Sequence, residues 1–334
     1  MSDNTAVGSA RWSRRPATTA AAAEWQARDA RRWLQLALAA IWLLDGVLQF
    51  QPYMFTKNFG TQLLAVTAQG NPQVIAQPIT WVAGIVTHHP VPTNAAFAAI
   101  QVLLGLGIAW RPTLKPALAA SIAWSLGVWW FGEGLGGVLT GTTNPVMGAP
   151  GAVILYALLA VLLWPTARTD HDVAPSRFVA ERPLGATAAR VLWLVLWGSL
   201  AYFAIQGSNR SPQGLHDMIA QMASGEPSWL ASIETHAANL VAHQGLPVSI
   251  ALTVLLTVVA VGVFLPRPAA RVAVMLALAL ALVIWVVGEA LGGIFTGQGT
   301  DPNSGPLLAL LALAYWPSTL QQSAATSGEG TANS

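Results

Sequence analysis

Eight apolar runs, each close to the length needed to cross a lipid bilayer, dominate this chain. A spanning helix takes about 17 to 25 mostly apolar residues. In the 334 residues, 54% are hydrophobic and 9% are charged, whereas a soluble domain has about 25% charged residues. The pattern predicts an all-α integral membrane protein with about eight transmembrane helices. The runs lie at about 33–51, 94–110, 116–139, 150–164, 190–206, 247–265, 270–294 and 305–317.

The distribution of basic residues predicts the orientation of these helices. All of the 16 Lys and Arg residues except Lys57 and Arg210 fall on one side when the N-terminus is placed in the cytoplasm. Cytoplasmic loops are enriched in Lys and Arg. We therefore expect a multi-pass protein of the plasma membrane with both termini cytoplasmic.

A repeated motif divides the chain into two copies of one unit. Residues 132–137 read GEGLGG and residues 288–293 read GEALGG, and the same shift of 155 to 156 residues aligns His88 with His243 and Pro150 with Pro306. Because each copy holds an even number of spans, the copies are expected to be parallel rather than inverted.

This repeat gives the predicted domain organisation. Each copy also has a long segment with short amphipathic helices, 52–93 and 207–246, which we expect to cover its outer side. The predicted regions are a basic cytoplasmic tail at 1–32, a first four-helix membrane repeat at 33–164, a cytoplasmic linker at 165–189, a second four-helix membrane repeat at 190–317, and a disordered cytoplasmic tail at 318–334.

The glycines of the repeated motif have GxxxG spacing, which allows two helices to approach closely in lipid. We therefore predict tight helix packing at these glycines. They are Gly132, Gly136 and Gly137 in the first copy, and Gly288, Gly292 and Gly293 in the second.

Acidic residues inside apolar spans are the candidate functional groups. An ionisable residue within a span costs about 2.5 to 3.5 kcal/mol on insertion scales, so it usually faces the bundle interior and has a partner. We predict an outward-facing polar pocket that is asymmetric, because Asp45 has no acidic counterpart in the second copy. The candidate pocket residues are Asp45, Gln49, Gln101, Glu133, Glu289, His88 and His243.

A purely structural role for the same residues stays open. A hydrogen-bonded glutamate can pin helices together, and histidines in loops can simply be solvated. A histidine and a glutamate in each copy could also form a metal site or a proton relay, although we assign no metal ligand.

Composition excludes several classes of chemistry. The chain has no cysteine, which rules out disulfides, thiolate metal sites and a cysteine nucleophile. The net charge is +2, and no basic patch mixes with aromatics, so nucleic acid is not an expected partner. The sequence identifies no cofactor, and the expected environment is the lipid bilayer.

The layout of each copy resembles the DoxX/DoxD family of four-helix membrane proteins. The resemblance rests on a first helix with Gly46, Gln49 and Phe50 near its end, and on AAIQVLLGLGIAWRPTLKPALAAS at residues 98–121. Charged positions of that family fall at Gln49 and Gln101 here, so no catalytic residue is carried over. The resemblance implies a quinone-associated or oxidative-stress-linked accessory protein with a membrane or periplasmic redox partner.

Three classes of function therefore remain open. A redox-linked accessory subunit is favoured by the resemblance and by tryptophan-rich spans. A small-solute or proton-coupled transporter is favoured by duplicated acids in a pseudo-symmetric bundle. A membrane scaffold without catalysis is the third. Whether the chain is an enzyme is left open.

Overall fold

A computed structural model describes residues 19–166 and 176–317, and every regular element in these ranges is helical. The tail at 1–18, the linker segment at 167–175 and the tail at 318–334 lie outside the described residues. The α-helices are α1 Thr19–Leu48, α2 Gln73–His88, α3 Pro90–Ala109, α4 Leu114–Phe131, α5 Ala152–Leu162, α6 Glu181–Leu184, α7 Ala186–Ala204, α8 Gly214–Met222, α9 Ser228–Val241, α10 Gly245–Gly262, α11 Arg267–Val283 and α12 Ser304–Ala314.

Helix length and composition indicate a membrane protein. Four helices in the described ranges are long and apolar enough to cross a bilayer: Pro90–Ala109, Ala186–Ala204, Gly245–Gly262 and Arg267–Gly288. The first helix begins at Thr19, so part of the expected N-terminal tail is helical.

The fourth helix of each half is shorter than the sequence indicates. Helices α5 and α12 have 11 residues each, or about 16 Å of length, against a hydrocarbon core of about 30 Å. Irregular segments precede both helices, and in the first half this segment buries Thr143, Asn144 and Val146. Irregular backbone is tolerated at membrane depth only where protein or a wet cavity surrounds it.

Matching helices pack in matching ways in the two halves. Helix α1 packs on α3 as α7 packs on α10, and α4 packs on α5 as α11 packs on α12. Helix α12 also contacts α1 and α5, so the C-terminal half closes against the N-terminal half. Buried aromatic residues fill this core, including Trp42 against Tyr156 at 4.3 Å and Trp193 against Tyr315 at 4.6 Å between ring centroids.

Short helices contact the turn of the repeated motif, or the residues just before it, in each half, and we call this part of the molecule the cap side. They are the segment Phe59–Ala68, α2, α8 and α9. In the first half, α2 contacts the GEGLGG turn, and in the second half α8 and α9 contact Ile284–Gly288. The turns of the repeated motif therefore lie beneath the caps.

The predicted helix crossing at the repeated glycines is wrong. Helix α4 ends at Phe131, and the next residues form a turn in which Leu135 and Gly136 have φ values of 58° and 62°. Leu291 and Gly292 repeat this turn, with φ values of 57° and 80°. A close approach does exist, but it is to a loop rather than to a helix.

Backbone oxygen atoms occupy the space where side chains would otherwise lie. A Cβ atom on Gly136 would lie 1.8 Å from the carbonyl oxygen of Pro150, and one on Gly288 would lie 1.7 Å from that of Val146. Gly136 thus lets the first turn pack against the irregular segment that follows it, whereas Gly288 lets the second half pack against that same segment of the first half. Gly132, Gly137 and Gly293 belong to the same turns, and Gly137 and Gly293 also have positive φ.

Candidate functional site

The two repeated glutamates each bind the N-terminus of the short helix that follows. Both carboxylate oxygens of Glu133 accept the backbone N–H of Val153 in α5, at 3.1 and 3.3 Å. Glu289 accepts the N–H groups of Ser304 and Gly305 in α12, at 3.1 and 2.9 Å. The first N–H groups of a helix have no partner within it and carry partial positive charge. The duplicated acid therefore has a structural role in both halves.

The two glutamates differ in how completely they are held. The hydroxyl of Ser304 also donates to Glu289, whose side chain is buried. Ala152 holds the matching first position of α5 and has no hydroxyl. Counting from the helix starts pairs Ala152 with Ser304, so the expected alignment of Pro150 with Pro306 does not hold in the structure. Glu133 is partly exposed and has a less complete set of donors.

A cavity of about 360 Å³ lies in the first half and contains most of the candidate acids. Its walls are mainly apolar, and its polar groups converge from several elements. The lining residues are Trp42, Asp45, Gln49, Phe59, Leu63, Leu64, Val82, Phe97, Gln101, Ala123, Trp124, Gly127, Val128, Phe131, Gly132, Glu133, Val153, Tyr156, Thr300 and Asp301. We call this space the inner cavity.

Asp45 is the most deeply buried acid of the inner cavity, with 1% of its surface exposed. Its Oδ2 accepts the hydroxyl of Tyr156 at 2.6 Å, while its Oδ1 is buried without a hydrogen-bond partner. Trp42 packs on the Tyr156 ring and donates to Ser121 at 3.1 Å, which fixes this wall. A buried acceptor without a donor lowers the stability of the folded protein. Oδ1 is therefore available to accept a hydrogen bond from a ligand.

Two glutamines offer further polar groups in the inner cavity. Gln49 and Gln101 both line it, and the Oε1 atom of each is buried without a partner. Asn94 donates to the backbone carbonyl of Gln49 at 2.7 Å and holds the end of α1 in place. An amide can present either a donor or an acceptor after rotation, so these side chains suit a hydroxyl group.

Asp301 and Tyr156 are site residues that sequence reasoning missed. Asp301 comes from the loop before α12, yet it lines the inner cavity and interacts electrostatically with Asp45 and Glu133. Its carboxylate accepts Thr300 Oγ1 at 2.9 Å and Asn303 N–H at 2.7 Å. The DPN turn at 301–303 was the only local signal, and it does not indicate a contact with the other half.

The candidate histidines and Glu289 do not line the inner cavity. His88 is exposed at the end of α2 and contacts its own helix through Gly84 O at 2.7 Å. His243 is exposed near Gln213 at 3.4 Å. Within residues 19–166 and 176–317, no group of three or more His, Asp or Glu residues could hold a metal ion. The structure therefore brings neither histidine into the inner cavity with the acids.

A second cavity, of about 430 Å³, lies beside the first on the cap side. Threonine, asparagine and glycine residues dominate its lining, and its Thr142 is exposed at the surface. We call this space the vestibule. The lining residues are Thr67, Glu133, Gly136, Gly137, Thr140, Thr142, Thr143, Asn144, Met147, Gly148, Ala149, Gly151, Ala152, Met218 and Asn303.

Comparison with known protein families, with curated proteins and with solved structures gave no match. Functional inference for this chain therefore depends on the geometry of the two cavities.

Proposed function

We propose that this chain is a multi-pass plasma-membrane protein built of two parallel four-helix units, with the cap side facing outward and both termini in the cytoplasm. The matching order and packing of helices in the two halves support this architecture. Each short helix, α5 or α12, would complete a crossing together with the irregular segment before it. This arrangement gives eight crossings and agrees with the distribution of basic residues.

The proposed function is binding of a lipophilic molecule that carries a hydrogen-bond donor head group, with a hydroquinone as the fitting class. The single observation that carries this proposal is the buried, unpaired Oδ1 of Asp45 in a largely apolar cavity. The volume of about 360 Å³ falls within the range of small-molecule sites. Apolar walls suit a ring and its attached chain.

The polar groups favour a reduced ligand over an oxidised one. A quinone presents two carbonyl oxygens, which are acceptors, and an ionised Asp45 would repel one placed against Oδ1. A hydroquinone presents two hydroxyls, one of which can donate to Asp45 while the other reaches Gln49 or Gln101. The Tyr156 hydroxyl already donates to Asp45 Oδ2, which orients the carboxylate for the ligand.

The resemblance to the DoxX/DoxD family supports the quinone class and the wider role of an accessory, redox-linked subunit. Because the chain has no cysteine, it offers no thiol chemistry of its own for an electron-transfer step. The proposed role is therefore to hold the reduced carrier for a membrane or periplasmic redox partner.

Equilibrium binding of the reduced and oxidised forms of one decyl-substituted quinone tests this proposal. Trp42 and Trp124 line the inner cavity, so quenching of tryptophan fluorescence reports occupancy. A hydrogen bond to a charged group contributes about 1.5–3 kcal/mol, and each 1.4 kcal/mol is ten-fold. We expect the wild type to bind the reduced form at least about ten-fold more tightly.

Two variants complete that experiment. Asp45→Asn should remove most of the preference, whereas Asp217→Asn, which alters a largely exposed acid on α8, should leave it unchanged. Equal affinity of the wild type for both forms, or a preference that survives in Asp45→Asn, would contradict the proposal.

A second candidate is transport of a small lipophilic cation. The observation that favours it is the charge of the lining: Asp45, Glu133 and Asp301 belong to the inner cavity, and none of its described lining residues is Lys, Arg or His. Tight binding of tetraphenylphosphonium, with no binding of the hydroquinone, would favour this candidate over the first.

A further inference from the structure

Glu133 stands at the boundary between the inner cavity and the vestibule. Among the described residues that line the two spaces, Glu133 alone is common to both. The vestibule reaches the surface of the cap side at Thr142, and the inner cavity contains the buried Asp45. Glu133 therefore lies between the vestibule and the cavity that contains the unpaired oxygen of Asp45.

Within the part of the chain that the structure describes, the Glu133 carboxylate is held by backbone donors alone. It is bound by Val153 N–H and lacks the hydroxyl donor that Ser304 supplies to Glu289. Gly151 lies against it, since a Cβ atom there would be 2.3 Å from Glu133 Oε2. The carboxylate therefore packs directly on the backbone of Gly151 beside the vestibule, with no hydroxyl donor at position 152.

Acidic residues line both spaces: Asp45, Glu133 and Asp301 line the inner cavity, and Glu133 also lines the vestibule. Asp301 lies in the inner cavity and interacts electrostatically with both Glu133 and Asp45. The vestibule lining contains no Lys, Arg or His among its described residues. A cleft lined by one sign of charge concentrates ions of the opposite sign and speeds their arrival by about 10- to 1,000-fold.

We propose that the vestibule and the inner cavity form one path for small cations, hydronium included, from the cap-side surface to Asp45, and that the Glu133 side chain is its gate. The path serves whatever molecule occupies the inner cavity and does not depend on the identity of that molecule. The second half lacks an equivalent gate, because Glu289 is fully engaged by α12 and lines neither cavity.

Single-cysteine labelling tests the path directly, because the natural chain has no cysteine. Gly127→Cys places a thiol in the inner cavity, where an added Cβ atom meets nothing within 4 Å. Thr142→Cys places one in the vestibule. Leu126→Cys is the matched control, since Leu126 is the neighbouring residue on α4, is 46% exposed and does not line the inner cavity.

Each variant is reacted in nanodiscs with a cationic methanethiosulfonate (ethyltrimethylammonium) and with an anionic one (ethylsulfonate). We expect the thiol at 127 to react with the cationic reagent, and the cation-to-anion rate ratio there to exceed the ratio at 142 by about ten-fold. The thiol at 126 should react with neither charged reagent, although a lipophilic maleimide should modify it.

Changes at the gate should alter the rate at 127 and leave the rate at 142 unchanged. Ala152→Ser adds the hydroxyl donor that the second half already has, so we expect it to slow the cationic reagent several-fold. Glu133→Ala should speed both reagents and reduce the charge preference. Ser304→Ala, which makes the complementary change beside Glu289, should have no effect on the rate at 127. Thermal unfolding of each variant checks that the fold is retained.

The proposal is overturned if the thiol at 127 reacts with neither charged reagent, if it reacts without cation preference, or if Ala152→Ser and Glu133→Ala both leave its rate unchanged. None of these measurements requires a bound hydroquinone. Failure of the path is therefore separable from failure of the proposed ligand.

Discussion

At the scale of single residues, the duplicated glutamates share one structural role and differ in their surroundings. Both bind the N-terminus of a short helix, which explains why an acid recurs beside glycines in each half. Ser304 completes the coordination of Glu289, whereas Ala152 leaves that of Glu133 incomplete. A single hydroxyl thus distinguishes a fully held carboxylate from one that faces two cavities.

Removal of the hydroxyl beside Glu289 and addition of one beside Glu133 are expected to change stability in opposite directions. Ser304→Ala removes a buried donor to Glu289 and should lower the free energy of unfolding by about 1–3 kcal/mol. Ala152→Ser adds a donor to Glu133 and should leave stability equal or higher. Thermal unfolding in one detergent measures both variants. A stable Ser304→Ala protein beside a destabilised Ala152→Ser protein would reverse the assignment.

At the scale of elements, the turn after α4 explains why part of the local structure could not be predicted from the sequence. The apolar run at 116–139 has the composition of one helix, and GxxxG spacing is typical of helix crossings. Left-handed backbone at Leu135 and Gly136 instead ends α4 eight residues before the run does. That ending depends on packing against the segment near Pro150, which no local pattern reveals.

A matched pair of alanine substitutions tests this turn. Gly136 has a φ of 62° and no space for a Cβ atom, whereas Gly127 is helical and has open space there. We expect Gly136→Ala to destabilise the protein by more than about 1 kcal/mol, since it combines strain with a clash. Gly127→Ala should be neutral or stabilising by up to about 1 kcal/mol. Equal unfolding temperatures for the two variants would contradict the turn.

Helix α9 on the cap side carries an acid that should make stability depend on pH. Glu234 is fully buried, and both of its carboxylate oxygens lack a hydrogen-bond partner. Burial, and then the neighbouring Glu226, raise the pKa of Glu234 from 4.5 to about 7. The folded protein thus holds a proton that the unfolded chain releases between these values, so stability should fall as pH rises through this window.

Glu234→Gln should flatten that dependence. We expect the variant to match the wild type near pH 4.5, where the glutamate is protonated in the folded state, and to unfold at a higher temperature above pH 7. Asp217→Asn on α8 is the control, because Asp217 is largely exposed. A wild-type stability that rises steadily from pH 4.5 to 7 and is unaffected by Glu234→Gln would contradict the burial of the Glu234 carboxyl.

At the scale of the whole molecule, the sequence predicts much of the helical framework but not the contacts that complete the inner cavity. Apolar runs and a repeated motif are local or periodic signals, so they indicate helices and a duplication. The approach of Asp301 to the first half is a long-range contact that depends on how α12 packs against α1 and α5. The alignment of His88 with His243 did not place either of them at the inner cavity. Alignment between two copies does not determine where an exposed side chain points.

The proposed parallel architecture predicts that equivalent turns are accessible from one side of the membrane. In sealed vesicles of known orientation, Thr142→Cys and Gln298→Cys, both at exposed positions, should react with an impermeant reagent from the outside. Phe264→Cys, at the exposed end of α10, should react only after the membrane is opened. Labelling of positions 142 and 298 from opposite sides would show that the repeats are inverted.

We propose that Asp45 binds the head group of a lipophilic hydroquinone, and a crystal structure of the complex with a decyl hydroquinone would show this contact itself. We expect the ring in the inner cavity, with one hydroxyl oxygen within about 3 Å of Asp45 Oδ1 and the alkyl chain along the apolar wall. A ring bound outside this cavity, or an inner cavity that stays without ligand density at saturating hydroquinone, would contradict the claim.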